Sequence, residues 1–233
     1  MIKTFDSQET EFLDIKLNPN DDTFVSVNSN GVLKVFDLGA HDQEPLAVFD
    51  IRDDQKFPEE TVIHVCGNFD STGVVLAISI YIEEAQAGGK VSTSNRVDLF
   101  DVKKYEEGRF DSWKLDNFAR ITMIKFSNNS YYILAYTVKG ELLILDAFEG
   151  SLIRKFSTGG TANIEPSFTP DSKFVLSGSD MGTIFIFDIE NNKEVARLEG
   201  HVKPSGFCKF SPTSVMMASA CQNILFWLPK YWD

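Results

Sequence analysis

The sequence predicts an all-β chain built from five similar four-stranded repeats, filling residues 1–233 as one domain. Three observations carry this. First, an apolar residue is followed fourteen positions later by glycine and twenty later by aspartate, three times without a gap: Leu17-Gly31-Asp37, Phe126-Gly140-Asp146 and Phe168-Gly182-Asp188. Second, two altered copies exist: Phe69 leads to Phe100-Asp101 with about a dozen inserted residues, and Phe210 leads to Trp227-Leu228 two residues early and without the aspartate. Third, the copies end at 37, 101, 146, 188 and 228. A period near forty is that of β-propeller blades of four strands each. No 3.6-residue apolar period persists, so no substantial helix is expected.

The strand closing each repeat reads from its β-branched and aromatic content at residues 32–36, 142–145 and 183–187. Gly31, Gly140 and Gly182 stand just before these runs, where a tight hairpin needs positive φ, and Asn30-Gly31 is itself a hairpin signal. The preceding strand lies at 24–27, 132–136, 174–178 and 216–220. A small residue recurs there (Ser26, Ala135, Ser177, Ser219), which lets sheets pack face to face. An outer strand ends twelve residues before the anchor, at Phe5, Phe156 and Leu198. Each repeat thus reads as an outer strand followed by three inner ones. Two arrangements follow from the opening strand at 2–5: it completes the last blade of a five-bladed ring, or the chain is the C-terminal part of a larger propeller. Open propellers expose unpaired edges.

Residues 81–94 are inserted between two strands that are tightly joined elsewhere. They are small and polar, and a mobile loop is expected. Glu83, Glu84 and Lys90 in this stretch are candidate partner contacts. Gly88-Gly89-Lys90 fails as a phosphate loop, because Val91 follows the lysine, no glycine lies five residues before Gly89 and no helix follows. Tyr231 and Trp232 follow Pro229, fit no strand, and either pack over the last blade or contact a partner.

Composition narrows the function. Twenty-two basic residues against 34 acidic give a net charge of −12. Binding to bare nucleic acid rests on phosphate neutralisation, so this balance opposes it. No apolar run approaches the ~20 residues of a membrane span, and the opening residues lack a signal-peptide core. Cys66, Cys208 and Cys221 lie in different repeats with no C-x-x-C spacing. Zinc is therefore not expected, buried hydrophobic roles are, and the sparse count fits a reducing compartment. His201 is expected to orient a turn; His41 and His64 read as exposed or satisfied loop residues. Acidic pairs recur at Asp21-Asp22, Asp53-Asp54, Glu59-Glu60, Glu83-Glu84 and Glu106-Glu107. A five-bladed carbohydrate-active enzyme would converge carboxylates on its channel. Adjacent strand residues point to opposite faces, so these pairs read as solvated loop charge. Most of the 20 phenylalanines fall on template positions and are expected in the core. No catalytic residue, metal or cofactor is expected.

The Phe-Asp strand ends, the period and the strand order resemble WD-repeat propellers. One repeat carries the Gly-His start of that class, Gly200-His201, and one a tryptophan at its strand end, Trp227. The resemblance implies that His201, Ser219 and Trp227 share hydrogen bonds; the aspartate that joins such sets is absent here. The segments "SFTPDSKFVLSGSDMGTIFIFD", "LLILDAFEG" and above all "FSPTSVMMASACQNILFWLP" are similar to one family. It is that of WD-repeat protein 82 and the yeast COMPASS subunit Swd-two. The resemblance covers essentially the whole chain but about three-quarters of a family member, and implies seven blades, of which the first two are expected to be missing. It implies a nuclear, non-catalytic scaffold of a COMPASS-type histone-lysine methyltransferase complex, linking it to the phosphorylated RNA polymerase tail. It also implies service in a nuclear type-one phosphatase complex and, in yeast, in cleavage and polyadenylation. A WD-repeat adaptor of another assembly, such as a ubiquitin-ligase receptor, is the rival reading.

Overall fold

A computed structural model describes residues 11–41, 44–51, 61–86, 90–160 and 164–230. The chain forms two compact units, Met1–Ile124 and Lys125–Asp233. Among the described residues the regular structure is nineteen strands and one short 3-10 turn at Tyr105–Glu107.

The first unit holds two antiparallel sheets. One runs β1 (Phe12–Leu17), β2 (Thr23–Asn28), β3 (Val32–Asp37) and β4 (Ala47–Asp50), each beside the next. The other runs β5 (Val62–Phe69), β6 (Val75–Gln86), β7 (Lys90–Asp101) and β8 (Arg109–Lys114). Their facing sides share one core, in which Val25, Leu33, Val35, Leu76 and Ile78 are sealed from water and Phe49 packs on Phe100 and Tyr105.

The remaining three sheets begin with β9 (Ile121–Phe126), which enters the second unit. It is followed by β10 (Tyr132–Thr137), β11 (Glu141–Asp146) and β12 (Leu152–Ser157). Next come β13 (Ser167–Phe168), β14 (Phe174–Ser177), β15 (Ile184–Asp188) and β16 (Lys193–Leu198). The last sheet is β17 (Phe207–Phe210), β18 (Met217–Ala220) and β19 (Ile224–Trp227). The strand expected at 2–5 and the residues Tyr231 and Trp232 lie outside the described residues.

Turn chemistry explains the template. The polar residue after each anchor caps the first turn with its own side chain. Asn18 accepts the Asn20 N–H, Asp70 those of Thr72, Val74 and Val75, Ser127 that of Tyr132, Thr169 that of Phe174, and Ser211 those of Thr213 and Ser214. The template aspartates do the same one turn later. Asp37, Asp101, Asp146 and Asp188 accept N–H groups from Gly39, Lys103, Phe148 and Asn191. Such Asx turns hold the chain as it reverses. Gly31, Gly140 and Gly182 all take positive φ, as expected. At Gly140 space agrees with conformation, since a Cβ would lie 2.0 Å from the Gly160 carbonyl oxygen. The recurrent small residues Ser26, Ala135, Ser177 and Ser219 are all buried.

Several expectations are corrected. The outer strand belongs to the preceding sheet: β12 pairs with β11 (Leu142 opposite Phe156) and β16 with β15 (Ile184 opposite Leu198). Once the aspartate turns the chain, the nearest free edge is the strand it has just left. Outer strands β4 and β8 are not among those the sequence named: β4 ends at Asp50, well outside the twelve-residue spacing before its anchor Phe69, and β8 is largely polar. The inserted stretch is no loose loop. Strands β6 and β7 pair continuously from Val75–Asp101 to Gln86–Lys90 and form one long hairpin arm. Its β-branched and serine-rich alternation is strand chemistry that local polarity obscured. Glu83-Glu84 and His64 accordingly lie in strands rather than loops. Phe207 and Phe226 stand on template strands yet are mostly exposed. They lie on the face of β17–β19 opposite to Cys208, Met217 and Trp227, which pack on Leu176 and Ile184.

Candidate functional site

Two places gather the candidate residues. The first is at the C-terminal sheet. Ser219 sits mid-strand in β18, fully buried, and its register places it between β17 and β19. Trp227, at the end of β19, donates its indole N–H to Ser219 Oγ at 2.7 Å. His201 Nε2 lies 2.7 Å from the same oxygen, and Nδ1 lies 3.1 Å from Cys221 Sγ. Indole only donates, so Ser219 accepts there and has its hydroxyl proton free for His201 Nε2. Burial pushes the His201 pKa down, which keeps the ring neutral. With Ser219 donating to Nε2, the ring's one proton sits on Nδ1 and points to the sulfur. Cys221 thus occupies the end of the relay, and its sulfur also accepts the Asn223 N–H. Gly200 leaves room beside this set: a Cβ there would lie 2.9 Å from the Trp227 ring and from the Leu225 side chain, which would have to shift.

Cys221 was expected to be a buried hydrophobe; the structure leaves it half-exposed and hydrogen-bonded. Cys66 and Cys208 are buried, and burial pushes both thiols up to about 12. The relay's sulfur was invisible in sequence because its turn is shorter than the others, so no template position marked it.

The second place is the hairpin arm. Glu83 and Glu84 are half-buried near the end of β6, while Lys90 and Val91 are exposed at the start of β7. Strand β5 stops at the Val62–Glu83 pair and β8 at Lys114 opposite Arg96. Beyond these points, among the described residues, the arm is a two-stranded ribbon. At its base Arg120 Nη1 lies 2.7 Å from His64 Nε2, with Tyr81 alongside. Burial and the Arg120 guanidinium push the His64 pKa down, against the opposing pull of Glu83. Burial and the Glu83 carboxylate push Tyr81 up. The structure therefore separates the nominated residues: Glu83 is tied into this polar cluster, and Lys90 is not.

One further set was missed. Asp98, its side chain 2% exposed, holds Arg96 Nε at 3.1 Å and Arg109 Nη1 at 3.7 Å, and accepts Ser112 Oγ–H. The Arg96-Val97-Asp98 spacing, which puts both charges on one face of a strand, was the available signal. Buried charges survive only when paired in this way. In the second unit an apolar groove of about 550 Å³ is lined by Phe174, Ile186, Val195, Phe210 and Val215. Among the described residues no group of three or more His, Cys, Asp or Glu is placed to hold a metal ion. Nor, among them, is any helix long and apolar enough to cross a membrane.

Comparison with known proteins bears out the resemblance read from the C-terminal residues. The chain is 30% identical over 238 residues to the protein ANTHESIS POMOTING FACTOR 1 of Arabidopsis thaliana, covering 99% of this chain and 63% of that one. It is 28% identical over 239 residues to WD repeat-containing protein 82 of Drosophila melanogaster, covering 98% and 66%. It is 26% identical over 237 residues to the COMPASS component SWD2 of Saccharomyces cerevisiae, covering 92% and 64%. The chain thus spans just under two thirds of the length of these relatives. No family model matches. Among solved structures, the C-terminal WD40 domain of Sif2 superposes with a TM-score of 0.72 at 16% identity, covering 94% of this chain and 58% of that one. The fold is that of the all-β WD-repeat propellers.

Proposed function

We propose that this chain is a non-catalytic WD-repeat scaffold subunit of a COMPASS-type histone-lysine methyltransferase complex, acting in the nucleus as a single propeller domain. The observation that carries this is similarity along nearly the whole chain to WD repeat-containing protein 82 and to a COMPASS component. The WD-repeat fold supports it, because short strands closed by tight turns offer loops and edges to other proteins. Fold alone would not, since one fold hosts many functions. Within such a complex the chain links the methyltransferase to RNA polymerase by presenting surfaces, with no group transfer of its own.

The test is affinity purification of the tagged endogenous protein from nuclear extract, read by mass spectrometry. Histone methyltransferase subunits are the expected partners, with RNA polymerase subunits alongside them. A partner set made only of type-one phosphatase or cleavage and polyadenylation subunits would move the chain to those assemblies. Ubiquitin-ligase subunits in their place would overturn the reading.

A further inference from the structure

We propose that the open β7 edge of the hairpin arm is a docking site for a basic peptide that binds as an added β-strand. The argument starts from backbone parity. Asn95 turns both its N–H and C=O toward the β8 side, for its N–H bonds Asp116 Oδ1 at 2.9 Å and its C=O accepts the Leu115 N–H at 2.7 Å. Strand geometry repeats every two residues, so Thr93 and Val91 present their N–H and C=O groups to the same side. Strand β8 has by then turned away, its last pair being Lys114 with Arg96. Among the described residues no backbone hydrogen bond engages Thr93 or Val91 on that side. The alternate residues, Ser92 and Ser94, turn inward to β6 and complete the hairpin.

An exposed edge of this kind pairs with any extended chain unless something blunts it. Proline, a bulge or a covering segment would do so; the β6–β7 ladder has no bulge, and Lys90 is the only charge on residues 90–94. Among the described residues the three other four-stranded sheets and the three-stranded β17–β19 sheet carry no such arm, because their corresponding strands are joined by tight turns.

Side chains select the guest. Val91 is 62% exposed and lies opposite Ala85, so a residue added beside it meets an apolar patch. Glu83 stands opposite Thr93 and Glu84 opposite Ser92. The two carboxylates therefore sit one strand in from the open edge, one on each face, with only a small hydroxyl residue between. A lysine or arginine on the added strand reaches across Thr93 or Ser92 to a carboxylate, whereas an acidic side chain meets like charge. The net charge of −12 adds to the same preference. This is β-augmentation, in which the main chain supplies binding and alternate side chains supply selection. The inference deepens the scaffold reading by naming one partner surface, and it rests on that reading only for its biological use.

The test uses the full chain and a synthetic eight-residue peptide alternating valine with lysine, beside its glutamate-for-lysine counterpart. Binding is followed by fluorescence anisotropy, and backbone protection by amide hydrogen exchange. The lysine peptide is expected to bind at least tenfold more tightly than the glutamate peptide, and to slow exchange at Val91 and Thr93. Thr93→Pro removes one outward N–H without touching an inward one; it should weaken binding at least tenfold while leaving the circular dichroism spectrum unchanged. Glu83→Lys with Glu84→Lys should abolish the preference for lysine, and serves as an independent variant should the proline disturb the arm. Equal binding of both peptides, no binding, or protection elsewhere than Val91 and Thr93 would overturn the proposal. None of these results bears on which subunits co-purify with the chain, so the two readings fail separately.

Discussion

Replacing Ser219 with alanine removes one oxygen and strands two polar groups. The hydroxyl is 2.7 Å from the Trp227 indole nitrogen and 2.7 Å from His201 Nε2, in a side chain that is 1% exposed. Among the described residues neither nitrogen has a second hydrogen-bond partner. Leaving a buried polar group unpaired costs about 1–3 kcal/mol. Trp227 is only half-buried and recovers part of this from water, so the two together come to about 2–4 kcal/mol. For a chain of this size that lowers Tm by about 5–15 °C. The assay is urea and thermal unfolding of Ser219→Ala, Trp227→Phe and the double variant. Groups that share a hydrogen bond are non-additive, and a coupling of about 1 kcal/mol or more is expected. A loss below about 0.5 kcal/mol, or strict additivity, would refute the relay and make Ser219 merely a small residue that lets sheets approach.

Three more outcomes follow from the same geometry. Burial pulls the Asp70 carboxyl up, but Thr72 Oγ1–H and the backbone N–H groups of Val75, Thr72 and Val74 outweigh it and hold it below the usual range. A depressed carboxyl contributes stability that is present above the unfolded value of about 3.9 and lost as pH falls through the folded one; Asp70→Asn should therefore destabilise at pH 7 and flatten the acid limb of the stability curve, and an unchanged acid limb would count against it. Under native conditions at pH 8, iodoacetamide should label Cys221 well before Cys66 and Cys208, whose buried thiols are pushed up to about 12; peptide mass spectrometry reads the order, and early labelling of Cys66 or Cys208 would contradict their burial. Replacing residues 85–91 with Asn-Gly, which keeps the hydrogen-bonded Glu84–Ser92 pair beside the turn, should leave a single cooperative melt, because among the described residues the ribbon beyond Glu83 and Thr93 has no third strand while Ile82, which is buried, is kept; loss of cooperativity would make the arm structural.

Local chemistry was legible in the residues. The glycine and aspartate spacing reports turns, and turns depend on a few consecutive side chains: Asp146 meets the N–H groups of Phe148 and Glu149, both within three positions. The five polar residues that follow the anchors were equally local, and reading one position further along the template would have found them. Period two in the strands and the near-forty period of the copies are properties of the chain alone, so the sheets, their tight hairpins and the WD-repeat class could be inferred without coordinates.

What the tertiary structure decided was which chain segments meet across long separations. That β12 returns to the sheet before it, that residues 84–86 and 90–92 pair as a ribbon, and that Phe226 is exposed while Phe187 is buried depend on neighbours outside the local sequence. The relay is the sharpest case. His201, Ser219 and Trp227 could be nominated by resemblance, but Cys221 joins them only because β18 and β19 end side by side and swing its sulfur to 3.1 Å from the imidazole. Burial and hydrogen-bond partnership are set by three-dimensional neighbours, and sequence spacing reports these only within a turn or along one strand.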